Sequence, residues 1–402
     1  IELDEHESVV VRLDADSARA LQVAAAGGLT VTPAAEPGTF QVVAAHYVGA
    51  VGAGSVEVRI RPKVPVDNVL YLLTAWWDRR WWRSEAASYA PSEVSAAFVA
   101  LFADAVTQLL RRGVRPDYVE VVDDLDTIRG RVDLTGQFRR PGLLVPVTCR
   151  FSELTVDTPA NRYLKHAVLM ALRVPGAWRA TRRQLRHALA ALDGVADDPP
   201  RADLPRRMHF TRLDRPYEPV LQLAHVVRSG AGITDVAGDI SAAAFLLDMN
   251  QVFERFVEDR LRALLAGDLL VDGQVADHID EQGSVPIRPD LVLRDVGGTI
   301  VYVGDAKYKL SRDGLGRAAD YYQLHAYCTR FGLDEGVLIY GTEEGGAPPP
   351  RSITTRGDAV RLRTLRLPLM GTPTDLDAAV AAIADDIRQS AGRRKHVSAT
   401  LA

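Results

Sequence analysis

The stretch Ile287–Leu310, IRPDLVLRDVGGTIVYVGDAKYKL, organises the reading of this 402-residue chain. Two apolar runs rich in β-branched residues, Leu291–Leu293 and Ile300–Val303, flank Asp295-Val296-Gly297-Gly298. A Gly-containing connection between such runs reads as a β-hairpin. Side chains alternate faces along a strand, so Asp305 and Lys307 point the same way. Asp290, after Pro289 on the first strand, is brought beside that pair by the hairpin. Two carboxylates and an ammonium converging at a hairpin end cost free energy unless a divalent cation sits between them. That is the chemical outline of a metal-dependent phosphodiesterase site. The alternative is a solvated hairpin carrying an incidental Asp-x-Lys.

Lysine usage sharpens the signal. Of the 48 basic residues only Lys63, Lys165, Lys307, Lys309 and Lys395 are lysines; the rest are arginines. A compact ammonium approaches a water and a phosphate in a way that a planar guanidinium does not, so a lysine at 307 is a chemical choice in an arginine-writing sequence.

The wider composition excludes several classes. A hydrophobic fraction of 47% and a charged fraction of 25% are those of an ordinary globular protein. No apolar run approaches the roughly 18 residues a membrane span needs, which predicts no membrane partner. The opening IELDEHESVV has no signal-peptide pattern and predicts a cytoplasmic home. Cys149 and Cys328 have no zinc-ligand spacing and read as free thiols. No Gly-x-x-x-x-Gly-Lys-Ser/Thr loop occurs, so no nucleotide is expected on this chain by that route. The net charge of −4 does not advertise nucleic acid. DNA contact would need local basic surface such as Arg179–Arg215 or Arg393-Arg394-Lys395, each of which also reads as a solvated face.

Three regions follow from the patterning. Residues 1–90 read as a β-rich domain: VVVRL (9–13), TFQVVAAHYVGAV (39–51) and SVEVRIRPKV (55–64) are strand-like, with a loop over 49–54 and a helix from NVLYLL onward. Trp76, Trp77, Trp81 and Trp82 in that helix read as core or interface in preference to base-stacking surface. Residues 91–239 read as mainly helical, with helices after Pro91, over 157–172 and over 177–192. Glu120, Asp123, Asp124 and Asp126 lack Ca²⁺-loop spacing and read as an exposed acidic loop. Residues 240–402 read as an α/β domain in the order helix, hairpin, helix, strand, strand, helix, which gives a mixed sheet with helices packed around it. Its first helix is expected over 241–266, with Glu254 in the apolar stripe beside Leu247, Leu261 and Leu265. A carboxylate there is either salt-bridged in the core or linked to a metal. The fold class is therefore α+β and multidomain.

The ordered strings FLLDMNQVFERFV, IRPDLVL, VGDAKYK and DYYQLHAY, preceded by VEVRIRPKV, IRGRVDL and DTPANRYLKHAV, resemble the PD-(D/E)xK nuclease superfamily. More narrowly, they resemble the McrC family, the nuclease subunits of McrBC-type modification-dependent restriction systems. The resemblance spans nearly the whole chain. It implies a restriction-endonuclease-like domain over 240–402. It further implies Mg²⁺, with Mn²⁺ as a substitute, held by Asp290, Asp305, the Ala306 backbone carbonyl and Glu254, directly or through water. Lys307 would orient the attacking water, and Gln323 would support the site. The partners implied are double-stranded DNA and an McrB-like hexameric AAA+ GTPase, which the N-terminal domain docks into and stimulates. An activator that only controls the partner, or a stand-alone nuclease, are the competing readings.

Overall fold

The computed structural model describes residues 1–75, 93–138, 145–198, 214–235, 241–308, 317–342 and 351–400, with single residues between 205 and 212. The tryptophans at 76, 77, 81 and 82 and Lys309 lie outside the described residues, as do the side chains of Arg393, Arg394 and Lys395. The fold is mixed α+β with several sheets. The chain divides into two compact units: residues 1–49, 58–94 and 246–402 form the first, residues 50–57 and 95–245 the second.

In the first unit the N-terminal strands behave as their alternation predicts. Ser8–Arg12 and Leu29–Pro33 flank Thr39–Ala44 in an antiparallel sheet, and Ala15–Ala24 forms a helix between them that the sequence reading did not include. The run read as one strand over 39–51 is two, Thr39–Ala44 and Tyr47–Ala53. Consequently 49–54 is not a loop. The strand runs through Gly49 and Gly52, and the chain turns at Gly54, whose φ of 58° suits a residue without Cβ.

The rest of this unit carries the hairpin. Its elements are α1 (Met249–Leu265), β1 (Leu270–Gly273), β2 (Leu291–Arg294), β3 (Ile300–Lys307), α2 (Ala318–Phe331), β4 (Glu335–Thr342), β5 (Arg351–Thr354), β6 (Arg361–Pro368) and α3 (Pro373–Thr400). The sheet order is β1-β2-β3-β4-β6-β5. β3/β4 and β4/β6 are parallel and the other pairs antiparallel, so the sheet is mixed as expected. β1 and β5 are edge strands that the hydrophobic pattern did not reveal, since short edges need no continuous apolar run. β3 is buried along almost its whole length. Gly304 sits where a Cβ would come 2.8 Å from Val337 Cγ1 on β4, which leaves room only for glycine. Leu324, Tyr327 and Cys328 of α2 pack on Val292, Val303 and Leu338 of the sheet. α2 ends on Gly332 in the left-handed conformation (φ 61°, ψ 39°), a frequent helix stop.

The expected helix over 241–266 is corrected. Ser241–Asp248 is a β-strand and the helix begins at Met249. Residues 241–245 pair antiparallel with 231–235 in the second unit, register Ala231↔Phe245 to Asp235↔Ser241. An apolar Ala/Leu/Phe run satisfies either period, and the partner strand decides it. Leu247 is therefore not on the helix with Glu254, whereas Leu261 and Leu265 are. The boundary is set by Asp248 as an N-cap residue. Asp248 Oδ1 accepts from the Asn250 and Gln251 N–H groups at 2.9 and 3.3 Å, and Gln251 Nε2 donates to Asp248 Oδ2 at 3.1 Å. Asp248→Ala is expected to cost about 1 kcal/mol of stability, read as a shifted midpoint in denaturant unfolding.

In the second unit the predicted helices are Val94–Leu110, Pro159–Ala171 and Arg179–Ala191. They are joined by a three-stranded antiparallel sheet of Asp117–Leu125, Val147–Thr155 and Arg131–Val132. Glu120, Asp123 and Asp124 are accordingly strand residues and not a loop. Glu120 pairs with Arg150 at 3.5 Å, and Asp124 accepts from the Thr148 hydroxyl at 2.7 Å. Cross-strand partners explain Glu120 and Asp124 without a metal, and Asp123 accepts from the neighbouring Asp124 N–H.

Candidate metal centre

The β2/β3 register runs Leu291↔Gly304, Val292↔Val303, Leu293↔Tyr302, with a bulge before Arg294↔Ile300. Continued one residue past Leu291↔Gly304, it sets Asp290 opposite Asp305. The connection is pinned by Asp295, whose Oδ1 accepts from Gly297 and Thr299 N–H at 2.9 and 3.0 Å. An aspartate turn closes the far end of the hairpin, and the near end brings the two acids together.

Asp290 Oδ2 accepts from Ala306 N–H at 3.0 Å, tying the end of β2 to β3. Lys307 Nζ lies 2.5 Å from Asp305 Oδ2 and 3.8 Å from Asp290 Oδ2. Asp305 is 1% exposed and Asp290 9%. Asp305 Oδ2 has the Lys307 ammonium as its partner, while Oδ1 is buried without a hydrogen bond among the described residues. The structure therefore brings Asp290, Asp305 and Lys307 together, with Ala306 between the latter two.

The charge balance is acidic and desolvated. Burial pushes the Asp290 carboxyl well above the carboxylate range, and the charges of Asp305 and Glu254 push it further. Glu254 is raised to about 7, by burial first and then by Asp305 and Asp248, with Lys307 and a hydrogen bond to Gln274 opposing. Burial pulls the Lys307 ammonium down, but Asp305 and Asp290 outweigh it and hold Lys307 above its ordinary value. Glu254 thus shares the field of the Asp305–Lys307 pair.

Two residues that the sequence reading missed belong to this neighbourhood. Gln274 bonds the Glu254 side chain and donates its backbone N–H to the Asp290 carbonyl at 3.3 Å. Its φ of 49° is a backbone state uncommon for a residue with Cβ; nothing in a lone glutamine after Gly273 signals it. Tyr327 is pushed up to about 12 by burial and then by Asp305. Gln323 Nε2 donates to the Tyr327 hydroxyl at 2.5 Å, so Gln323 reaches the acidic pair by way of that phenol. An aromatic residue one helical turn after Gln323 was legible as core but not as a polar contact.

The residues fit a hard divalent cation. Buried carboxylate oxygens without donors are what such an ion satisfies, and oxygen ligands are what Mg²⁺ takes. Among the described residues no three His, Cys, Asp or Glu side chains come together as a complete ligand set. Asp290 and Asp305 with a backbone carbonyl and waters suit Mg²⁺, which keeps several waters.

This electrostatic state makes a pH prediction. Between 4.5 and about 7 the folded protein holds a proton on Glu254 that the unfolded chain has released. Stability of the metal-free protein therefore falls as pH rises through that window. Thermal melts in EDTA are expected to show the decline, Glu254→Gln to lessen it while the raised Asp290 carboxyl keeps the remainder, and Mn²⁺ to bind about tenfold tighter per pH unit for each ligand proton lost.

Comparison with known proteins bears on the fold and the family of this chain. A chain of the refined half-complex from a tetradecameric assembly of Thermococcus gammatolerans McrB AAA+ hexamers with bound McrC is similar at a TM-score of 0.58 and 21% identity, over 96% of this chain and 99% of that one. At that identity the likeness establishes the fold. The Thermococcus gammatolerans McrBC complex also overlaps, at 25% identity and a TM-score of 0.41, over 66% and 88% of the two chains, and adds nothing to the assignment. Among curated proteins the search returned no match. Among the described residues no helix is long and apolar enough to cross a membrane. Residues 42–341 match the sequence model of the McrBC 5-methylcytosine restriction system component, three-quarters of the chain, and the chain belongs to that family.

Proposed function

We propose that this chain is the DNA-cutting subunit of a modification-dependent restriction complex: a Mg²⁺-dependent endodeoxyribonuclease acting on double-stranded DNA. The observation that carries it is the convergence of Asp290 and Asp305 on Lys307, with Asp305 Oδ1 buried and without a donor among the described residues. Asp290, Asp305 and the Ala306 carbonyl would hold Mg²⁺, with Glu254 acting on its water shell. Bound there, the cation would supply Lewis-acid charge to the scissile phosphate. Lys307 would orient the attacking water and offset negative charge as the phosphate passes to five-coordination. Gln274 holds Glu254 in place, and Gln323 with Tyr327 supplies a polar wall.

The known assembly of a protein with this fold on McrB AAA+ hexamers supports a comparable AAA+ partner here; in this reading that partner would hydrolyse GTP and read modified cytosine, and this chain would cut. The test is cleavage of methylated and unmethylated plasmid with Mg²⁺ or EDTA, with and without the neighbouring AAA+ protein and GTP. Cutting that requires methylation, Mg²⁺ and the partner supports the reading. DNA left intact under all conditions, with the partner's GTP hydrolysis nonetheless accelerated, makes this chain an activator only.

A further inference from the structure

The β3/β4 ladder ends at Lys307↔Tyr340, so the next residue, Tyr308, is not placed by strand pairing. It is nonetheless buried, at 6% exposure, and side-chain contacts hold it. Its hydroxyl donates to Glu5 Oε1 at 3.1 Å, and its ring centroid lies 6.2 Å from that of Phe253. Phe253 is fully buried and immediately precedes Glu254 on α1. Tyr308 is therefore joined covalently to Lys307 and by packing to the neighbour of Glu254.

Glu5 is an unusual anchor. It comes from the N-terminal segment, 303 residues away in sequence, and is 3% exposed. Its Oε1 also accepts the Lys63 backbone N–H at 2.9 Å, while Oε2 is buried without a hydrogen bond among the described residues. Burial pushes its carboxyl up, with those two donors opposing. Holding a carboxylate in such a place costs free energy that packing alone does not explain, and a phenol needs an acceptor at that point.

We propose that Glu5 is a positioning residue for Lys307: by holding the Tyr308 hydroxyl it fixes the end of β3, and through Phe253 it keeps Lys307 and Glu254 in register. The inference rests on the nuclease reading of the site. It gives the N-terminal segment a direct hold on the catalytic strand.

The test compares wild type, Tyr308→Phe, Glu5→Ala, Glu5→Gln and the Tyr308→Phe/Glu5→Ala double variant in single-turnover DNA cleavage with the AAA+ partner. Amide hydrogen exchange across residues 305–308 is measured alongside. Tyr308→Phe and Glu5→Ala are each expected to slow cutting about tenfold, since small misplacements of reacting groups are costly, with DNA affinity unchanged and exchange at 305–308 faster. The double variant should be no slower than Glu5→Ala alone, because that variant has already lost the Tyr308 contact. Glu5→Gln, whose amide oxygen still accepts, should restore cutting. Tyr308→Phe removes one oxygen, so it carries the test even where Glu5→Ala fails to fold. Wild-type cutting with an unimpaired Tyr308→Phe overturns the inference alone. A wild type that does not cut overturns the nuclease reading, and this inference with it.

Discussion

Asp305→Ala is expected to abolish DNA cleavage, by about a thousandfold or more, while leaving the chain folded and its stimulation of the partner's GTP hydrolysis intact. The size follows from position. Asp305 is the most deeply buried acid of the site, 1% exposed, and Lys307 reaches within 2.5 Å of it. Removing it takes away one of the two buried carboxylates that would hold the cation and leaves Lys307 with Asp290 as its remaining carboxylate partner within 4 Å. Folding is expected to survive because the site is overcharged: Asp290 and Glu254 both feel the Asp305 charge as a repulsion. Losing it relieves strain in the metal-free state. Plasmid cleavage and GTP hydrolysis measured on the same preparation check the prediction. Retained cutting would make Asp305 structural, and lost GTPase stimulation would mean that the substitution had damaged more than the site.

Lys307→Arg is expected to cut about a hundredfold more slowly than wild type, although it keeps the charge. The Lys307 side chain is 20% exposed and its ammonium sits against a carboxylate as a point charge. A guanidinium is wider and planar, and it prefers to grip Asp305 with two parallel hydrogen bonds. That grip would occupy the Asp305 oxygens needed by the cation and carry the positive charge away from the attacking water. Single-turnover rates with Mg²⁺ saturation curves separate the two effects: saturation only at higher Mg²⁺ together with a lower maximal rate is the expected pattern. A rate equal to wild type would show that only the charge matters. It would also remove the chemical argument from this chain's preference for arginine nearly everywhere else.

Much of this site was legible along the chain because its residues lie on one local structure. A hairpin's register follows from its turn and its alternation, so Asp290, Asp305 and Lys307 could be brought together from spacing alone. The hydrophobic runs of β4 and β6 and the stripe of α2 were equally readable, since each is long enough to carry its period. Glu254 was found on its helix even though that helix starts at Met249, because the α-helical period holds from there to Leu265.

What the tertiary structure decided lies where one stretch satisfies two periods or where partners are far apart. Residues 241–245 read as helix by composition and became strand because residues 231–235 offered a ladder of hydrogen bonds; backbone groups pair with what is present, and sequence period does not record it. The edge strands, the left-handed Gln274 beside Asp290, and Tyr327 facing the acids likewise depend on neighbours. Most of all, the contact of Glu5 with Tyr308 joins residues that no local pattern connects. The sequence alone determined the chemistry of the hairpin, because a strand's alternation is a covalent property. Which distant side chains hold that hairpin in place was decided only by burial, which belongs to the folded chain as a whole.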